Sequence, residues 1–207
     1  MAGLNTWYVR EPREESELLT VRAYSSDAHA DGSVFEADTA EVGDVSASLK
    51  AFEIGPGPER SIARLTLEPW IAPGAPEVWF CWVDEPRAPR SAANLVAFAN
   101  DRLPPGTIVS GMQFPTLGVS SDEQAGAIRW YHDGATIHQI FVAEKYRRMH
   151  LGTVLIYGAE ALHQAHGWPG HLHGDGRRTD LGERFAAGVR HPQRVAPLTE
   201  TIPEMDF

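Results

Sequence analysis

The chain has 207 residues, 43% of them apolar and 22% charged, enough to bury a core of its own. A formal net charge of −10 sets its surface against phosphate backbones and anionic lipid, which disfavours a bulk nucleic-acid or membrane role. Cys81 is the single cysteine, the opening residues lack a signal-peptide pattern, and no apolar run approaches the roughly 20 residues of a membrane span. Together these features read as a cytoplasmic protein.

In chain order, residues 1–16 are polar and charged and read as an irregular entry. Leu18 to Tyr24 reads as a first strand. Residues 26–45 carry Asp27, Asp31, Glu36, Asp38, Glu41 and Asp44 with no Lys or Arg, the pattern of a solvated loop or of a loop that meets a cation. Ser46 to Ile54 and Ile62 to Trp70 alternate apolar with small or polar residues around Gly55-Pro56-Gly57-Pro58, which predicts a hairpin. Val78 to Val83 is a continuous apolar strand that makes Cys81 a core thiol. Ser91 to Arg102 shows helical spacing through Ala92, Leu95, Val96 and Phe98, closed by Pro104-Pro105-Gly106. Trp70, Trp79, Trp82 and Trp130 fall in predicted strands and read as core.

The pattern sharpens from Gly126. Ala127 to His132 and Ala135 to Val142 predict strands joined at Asp133-Gly134, where glycine supplies the positive φ of a tight turn. A helix is predicted from His150 to His166, with Leu151, Val154, Leu155, Gly158, Ala159 and Leu162 on one face. Gly167-Trp168-Pro169-Gly170 stops it. His171 to His173 reads as a short strand. Asp180 to Ala187 reads as a short helix capped by Thr179 or Asp180, and the proline-bearing tail from Val189 as irregular.

The chemistry concentrates between Ala135 and Thr153. A strand feeds a basic turn holding Lys145, Arg147 and Arg148 and then a helix start. The first helical N–H groups have no internal partner and sit at the positive end of the helix dipole. This is an anion site suited to a pyrophosphate, or a basic helix cap with no ligand.

Gln139 to Leu155 resembles the acyl-coenzyme A motif of the GNAT (Gcn5-related N-acetyltransferase) family, Gln/Arg-x-x-Gly-x-Gly/Ala between a strand and a long helix. Arg147 fits its first position and Gly152 its last. The resemblance covers about residues 126–190. It implies an α/β fold, a GNAT-like mixed twisted sheet flanked by helices, with a β-rich N-terminal part (1–105, acceptor side) and a cofactor-binding half (106–207). It further implies acetyl-CoA as acyl donor, an amine acceptor (a small molecule or a protein) attacking the thioester directly, and a family in which homodimers are frequent. By resemblance Phe141 and Val142 pair with the cofactor's arm. The backbone of Arg148, Met149, His150, Leu151, Gly152 and Thr153 holds the pyrophosphate.

Three departures stand out. His150 occupies the family's first Gly, the stretch Glu183-Arg184-Phe185-Ala186 carries no Tyr acid, and the motif strand opens without a Glu base. His138 is the replacement base, expected by period two on the face of Thr136, Ile140 and Val142, and is otherwise a hydrogen-bonded strand histidine. Two other readings stay open. One is a catalytically degenerate binding or assembly module. The other is a metal-dependent group transferase resting on His163, His166, His171, His173 and Asp175, although no zinc spacing is present. Arg177 and Arg178 suit either an anion contact or a solvated loop.

Overall fold

A computed structural model describes residues 5–12, 18–43, 45–57 and 61–203. Alternation of apolar and polar residues builds most of it. In β9 (Gln124–Tyr131) Ile128 and Trp130 point into the core while Arg129 and Tyr131 point out. The same period governs β2 (Thr20–Ser26), where Val21 and Ala23 are buried and Arg22 and Tyr24 are not. The other strands of the main sheet are β1 (Asn5–Glu11), β3 (Val34–Glu36), β4 (Leu49–Pro56), β5 (Ala63–Leu67), β6 (Trp79–Glu85), β7 (Ala92–Phe98), β8 (Thr107–Ser110), β10 (Thr136–Val142) and β11 (His173–Gly174). They form one 11-stranded sheet in the order β11-β10-β9-β7-β6-β8-β5-β4-β2-β1-β3. Most neighbours are antiparallel; β1/β3, β6/β8 and β10/β11 are parallel. β8 lies between β5 and β6, so residues after 106 enter the middle of the sheet. A separate parallel pair joins β12 (Arg177–Arg178) to β13 (Glu200–Thr201).

The sheet curls around a single long helix, α1 (Leu151–Ala165), which packs against β1, β2, β4, β5, β7, β9 and β10. Thirteen of its fifteen residues are buried, so it is enclosed on all sides rather than along a stripe. Small residues allow the close approach: a Cβ on Gly158 would lie 2.9 Å from Leu95 Cδ2. Polar side chains on its remaining face are buried with partners. Glu160 accepts from Leu172 N at 2.7 Å and from Gln164 Nε2 at 2.9 Å. The outer side of the sheet carries a smaller cluster of Trp79, Cys81, Phe98 and Val109, covered by Leu103, Phe114, Leu117 and Val119.

The fold corrects several expectations. A GNAT-like sheet flanked by helices, with a β-rich N-terminal part, is not what forms. The architecture is mostly sheet throughout, and the described residues hold just two α-helices, α1 and the seven-residue α2 (Asp180–Ala186). The segment read as a helix over Ser91–Arg102 is strand β7, paired along its length with β6 and β9. Its alanines fit either structure, and the unsatisfied edges of two long neighbouring strands decide the outcome. The entry is not irregular where described: β1 is a strand with Trp7 and Tyr8 fully buried. Residues 1–4 and 13–16 of that segment, Asp44, Pro58 and the last four residues of the tail lie outside the described residues. Trp70 sits in a turn, its indole N–H donating to Lys50 O at 2.9 Å. The β4–β5 pairing follows the expected hairpin, Phe52 opposite Leu67 and Gly55 opposite Arg64.

Candidate functional site

The strand β10 is paired with β9 from Ile137 to Val142 but with β11 only at Thr136 and Ile137. β11 is two residues long, and among the described residues no strand pairs with the second edge of β10 beyond Ile137. β10 then runs into the turn 143–150. A 3₁₀ turn at Glu144–Tyr146 comes first, and Arg147 is extended and donates from Nε back to Val142 O at 3.2 Å. Arg148 and His150 both adopt left-handed backbone, φ 62° and φ 58°. Alternation of such residues with ordinary ones turns successive N–H groups toward a common side, the arrangement of an anion nest. His150 is the N-cap of α1 and makes no side-chain capping bond; the first helical bond runs from Val154 N to His150 O at 3.1 Å. The starting N–H groups of α1 thus receive no side-chain acceptor from the cap.

Around this start Lys145, Arg147, Arg148, Met149 and His150 are exposed, while Leu151 and Gly152 are buried and Thr153 is half-buried. Gly152 is not open to a ligand on its Cα face. A Cβ there would lie 3.1 Å from Phe185 Cε2, so the side chain that α2 presents in place of a Tyr packs against the first turn of α1. Lys145 Nζ lies 4.8 Å from the centre of the Tyr146 ring. An open hollow of about 500 Å³ adjoins the turn, lined by Asp122, Gln124, Ala143, Glu144 and Lys145.

His138 is not on the face that period two assigns. The β9/β10 register shifts between Ile137 and Gln139, a bulge that inserts one residue into the strand. Ile140 and Val142 pack into the core beneath α1. His138 instead lies exposed on the outer face, its ring 5.2 Å from that of Tyr131, which itself carries Arg90 3.9 Å above it. Burial lowers the His138 pKa, and Arg129, Arg177 and Arg90 lower it further against Asp175, so the imidazole is neutral at pH 7 and able to accept a proton.

The same outer face holds a site with no local sequence signal. Val83, Asn94, Arg129 and Gln139 stand opposite one another across β6, β7, β9 and β10. Arg129 grips Glu85 bidentately at 3.0 and 2.8 Å and donates to Asn94 Oδ1 at 3.0 Å, while Asn94 Nδ2 donates to Glu85 at 2.8 Å. The Arg129 hydrogen bond holds the Glu85 carboxyl below its usual range. These residues, with Phe141 and Val96, line a cavity of about 410 Å³. Phe141 therefore faces the cavity, and Val142 the core.

The histidines considered for a metal disperse. His163 Nε2 lies 3.0 Å from Pro169 O, His171 packs over Gly32, and His173 Nδ1 lies 3.3 Å from the carbonyl of His171. Among the described residues no three His, Cys, Asp or Glu side chains gather to hold a metal ion. Arg178 is held by Glu183 at 2.7 Å and Arg177 by Glu200 at 2.8 Å; Thr179 caps α2 through Gly182 N at 3.1 Å. No helix among the described residues is long and apolar enough to cross a membrane. Compared with known proteins, the chain matches no family model, no curated protein and no solved structure, so the resemblance of the β10–α1 segment stands on its own residues.

Proposed function

We propose that the protein binds acetyl-coenzyme A at the β10–α1 junction and transfers the acetyl group to an amine. One observation carries the reading: among the described residues no strand pairs with the second edge of β10 beyond Ile137, and β10 leads through the turn 143–150 into an uncapped, basic helix start. A pyrophosphate suits the N–H groups that open α1 and the side chains of Lys145, Arg147 and Arg148. An amide-bearing arm suits the second edge of β10, since a strand edge offers N–H and C=O groups at regular spacing. A ligand that is a pyrophosphate at one end and an extended chain of amides at the other satisfies both.

In this reading neutral His138 takes the proton of an ammonium acceptor. The free amine attacks the thioester carbonyl carbon, the C–S bond breaks, and an amide and a thiolate leave. Phe185 has no proton to give, so the second proton of the attacking nitrogen, lost as the amide forms, passes through water to the thiolate. Holding the two reactants together supplies most of the acceleration.

Calorimetric titration with acetyl-coenzyme A tests the proposal. Micromolar binding that weakens with salt, and that drops at least tenfold in a Lys145→Ala/Arg147→Ala/Arg148→Ala variant, is expected. Absence of binding by the unaltered chain refutes it. Binding without acetylation of any amine in a panel retains the site and removes the catalysis, leaving a binding module.

A further inference from the structure

Four rings interleave at the far end of α1. Trp82 stacks on His166 at 4.7 Å, His166 on Trp168 at 4.5 Å, and Trp168 on His132 at 3.8 Å, with interplanar angles of 28°, 13° and 19°. His163 meets Trp168 edge-on at 5.5 Å. The stack joins β6 and the end of β9 to the connection that leaves α1 and returns as β11. That connection has no broad apolar seat besides Trp168 and Leu172. We infer that this stack is an acid-sensitive fastening of the 166–172 connection, and through it of β11.

The geometry gives the reason. His166 Nε2 and His163 Nδ1 are buried with no hydrogen-bond partner, a tolerable state for a neutral imidazole nitrogen. Protonation turns every ring nitrogen into a donor. Indole faces attract a cation, but they accept no N–H in the ring plane, so the new donors must reach water and the stack must part. The charged or titratable groups facing these rings are Asp84 from β6, His132 after β9, Glu160 from α1 and Arg10 from β1. Asp84 Oδ1 lies 3.2 Å from His132 Nε2, and the neighbouring His132 disfavours a proton on His163 and on His166. Glu160 opposes this for His163, but its carboxylate is already engaged by Leu172 N and Gln164.

Burial lowers the pKa of both rings, that of His166 to about 4. In a released connection His166 returns to about 6.5. The released form therefore gains protons as the pH falls below 6.5, and the fastened form takes them up only near 4. Across that window the released-to-fastened ratio rises by up to about 300-fold.

Amide hydrogen exchange of the full chain without ligand, expressed as protection factors at pH 7.5 and pH 5, reads the effect at His173 and Gly174. Protection there is expected to fall at least tenfold more than in β2, together with a change in tryptophan emission. His166→Phe keeps the stacked ring and loses the proton site, so its protection should hold at pH 5. An equal acid loss in the variant overturns the inference, as does unchanged protection in the unaltered chain. If the variant fails to fold, the His166 ring is titrated by NMR in the unaltered chain. A midpoint near 6.5 with β11 still protected overturns the fastening, and release of β11 in step with His166 protonation sustains it. Any consequence for a ligand beside β10 rests on the acetyl-coenzyme A reading, whereas the exchange measurement uses no cofactor, so the two can fail separately.

Discussion

Replacing Arg194 by Met should cost about 3–5 kcal/mol of stability at pH 7, the range for removing one partner of a buried ion pair. The guanidinium grips Asp31 through Nε–Oδ2 at 2.8 Å and Nη2–Oδ1 at 2.7 Å, donates to the Tyr8 hydroxyl at 3.2 Å, and lies 3.7 Å from Glu160. The side chains of Arg194, Asp31 and Glu160 are 11%, 13% and 4% exposed, so solvent screens little of this. Burial alone would raise the Asp31 pKa; the Arg194 hydrogen bond and charge, helped by Thr6 N–H and His191, bring it down to about 2. Against its ordinary 3.8 that shift corresponds to about 2.4 kcal/mol, and stranding Glu160 adds to it. Because the folded-state pKa is depressed, the stabilisation is complete above pH 4 and disappears as the pH falls through about 2. Urea unfolding at pH 7 and pH 3 measures the gap between the two chains. A gap below about 1 kcal/mol at pH 7, or one that does not shrink at pH 3, would refute the view that Asp31 and Arg194 lock the tail onto the sheet.

Two further outcomes follow from the packing. Gly158→Ala places a methyl 2.9 Å from Leu95 Cδ2 and 3.4 Å from Leu65 Cδ2, and should lower stability by about 1–3 kcal/mol in thermal or urea unfolding. Burial raises the Cys81 thiol to about 11, and the residue is 4% exposed, so a maleimide or disulfide reagent at pH 8 should label it only at the rate of unfolding. Rapid labelling of the folded chain would contradict the outer cluster around Trp79.

The part of the chain legible beforehand is the part whose signals are local. The β9–β10 hairpin, α1 and the breaks at Gly134 and Gly167 depend on a period of two, a period of 3.6 and residues suited to positive φ, all readable within a few positions. His138 shows the limit of that reading. One bulge residue between Ile137 and Gln139 moves it to the opposite face, and period counting has no means of including it. Asp31 and Arg194 stand 163 positions apart, and so an acidic run with no nearby cation reads as solvated although the side chain of one of its members is only 13% exposed.

The larger error, in fold class, has a single physical origin in the enclosure of α1. A helix seated on a sheet shows one apolar face, and Leu151, Val154, Leu155, Gly158, Ala159 and Leu162 supply it. The opposite face holds Tyr157, Glu160, His163 and Gln164, polar residues of the kind a surface helix turns to solvent. All four are buried, because β1, the tail and the loop after α1 bring them partners: His191 for Tyr157, Leu172 N for Glu160, Pro169 O for His163, Arg10 for Gln164. A polar face satisfied by distant chain is indistinguishable in sequence from one satisfied by water. The strands β1 and β3 come from segments too polar to read as sheet, and β7 from an alanine-rich run that suits helix or strand. The enclosure also sets where the chemistry can lie. With the length of α1 sealed, the exposed turn 147–150 that precedes it is the part left open, and its far end is bounded by the stacked rings of Trp82, His166, Trp168 and His132.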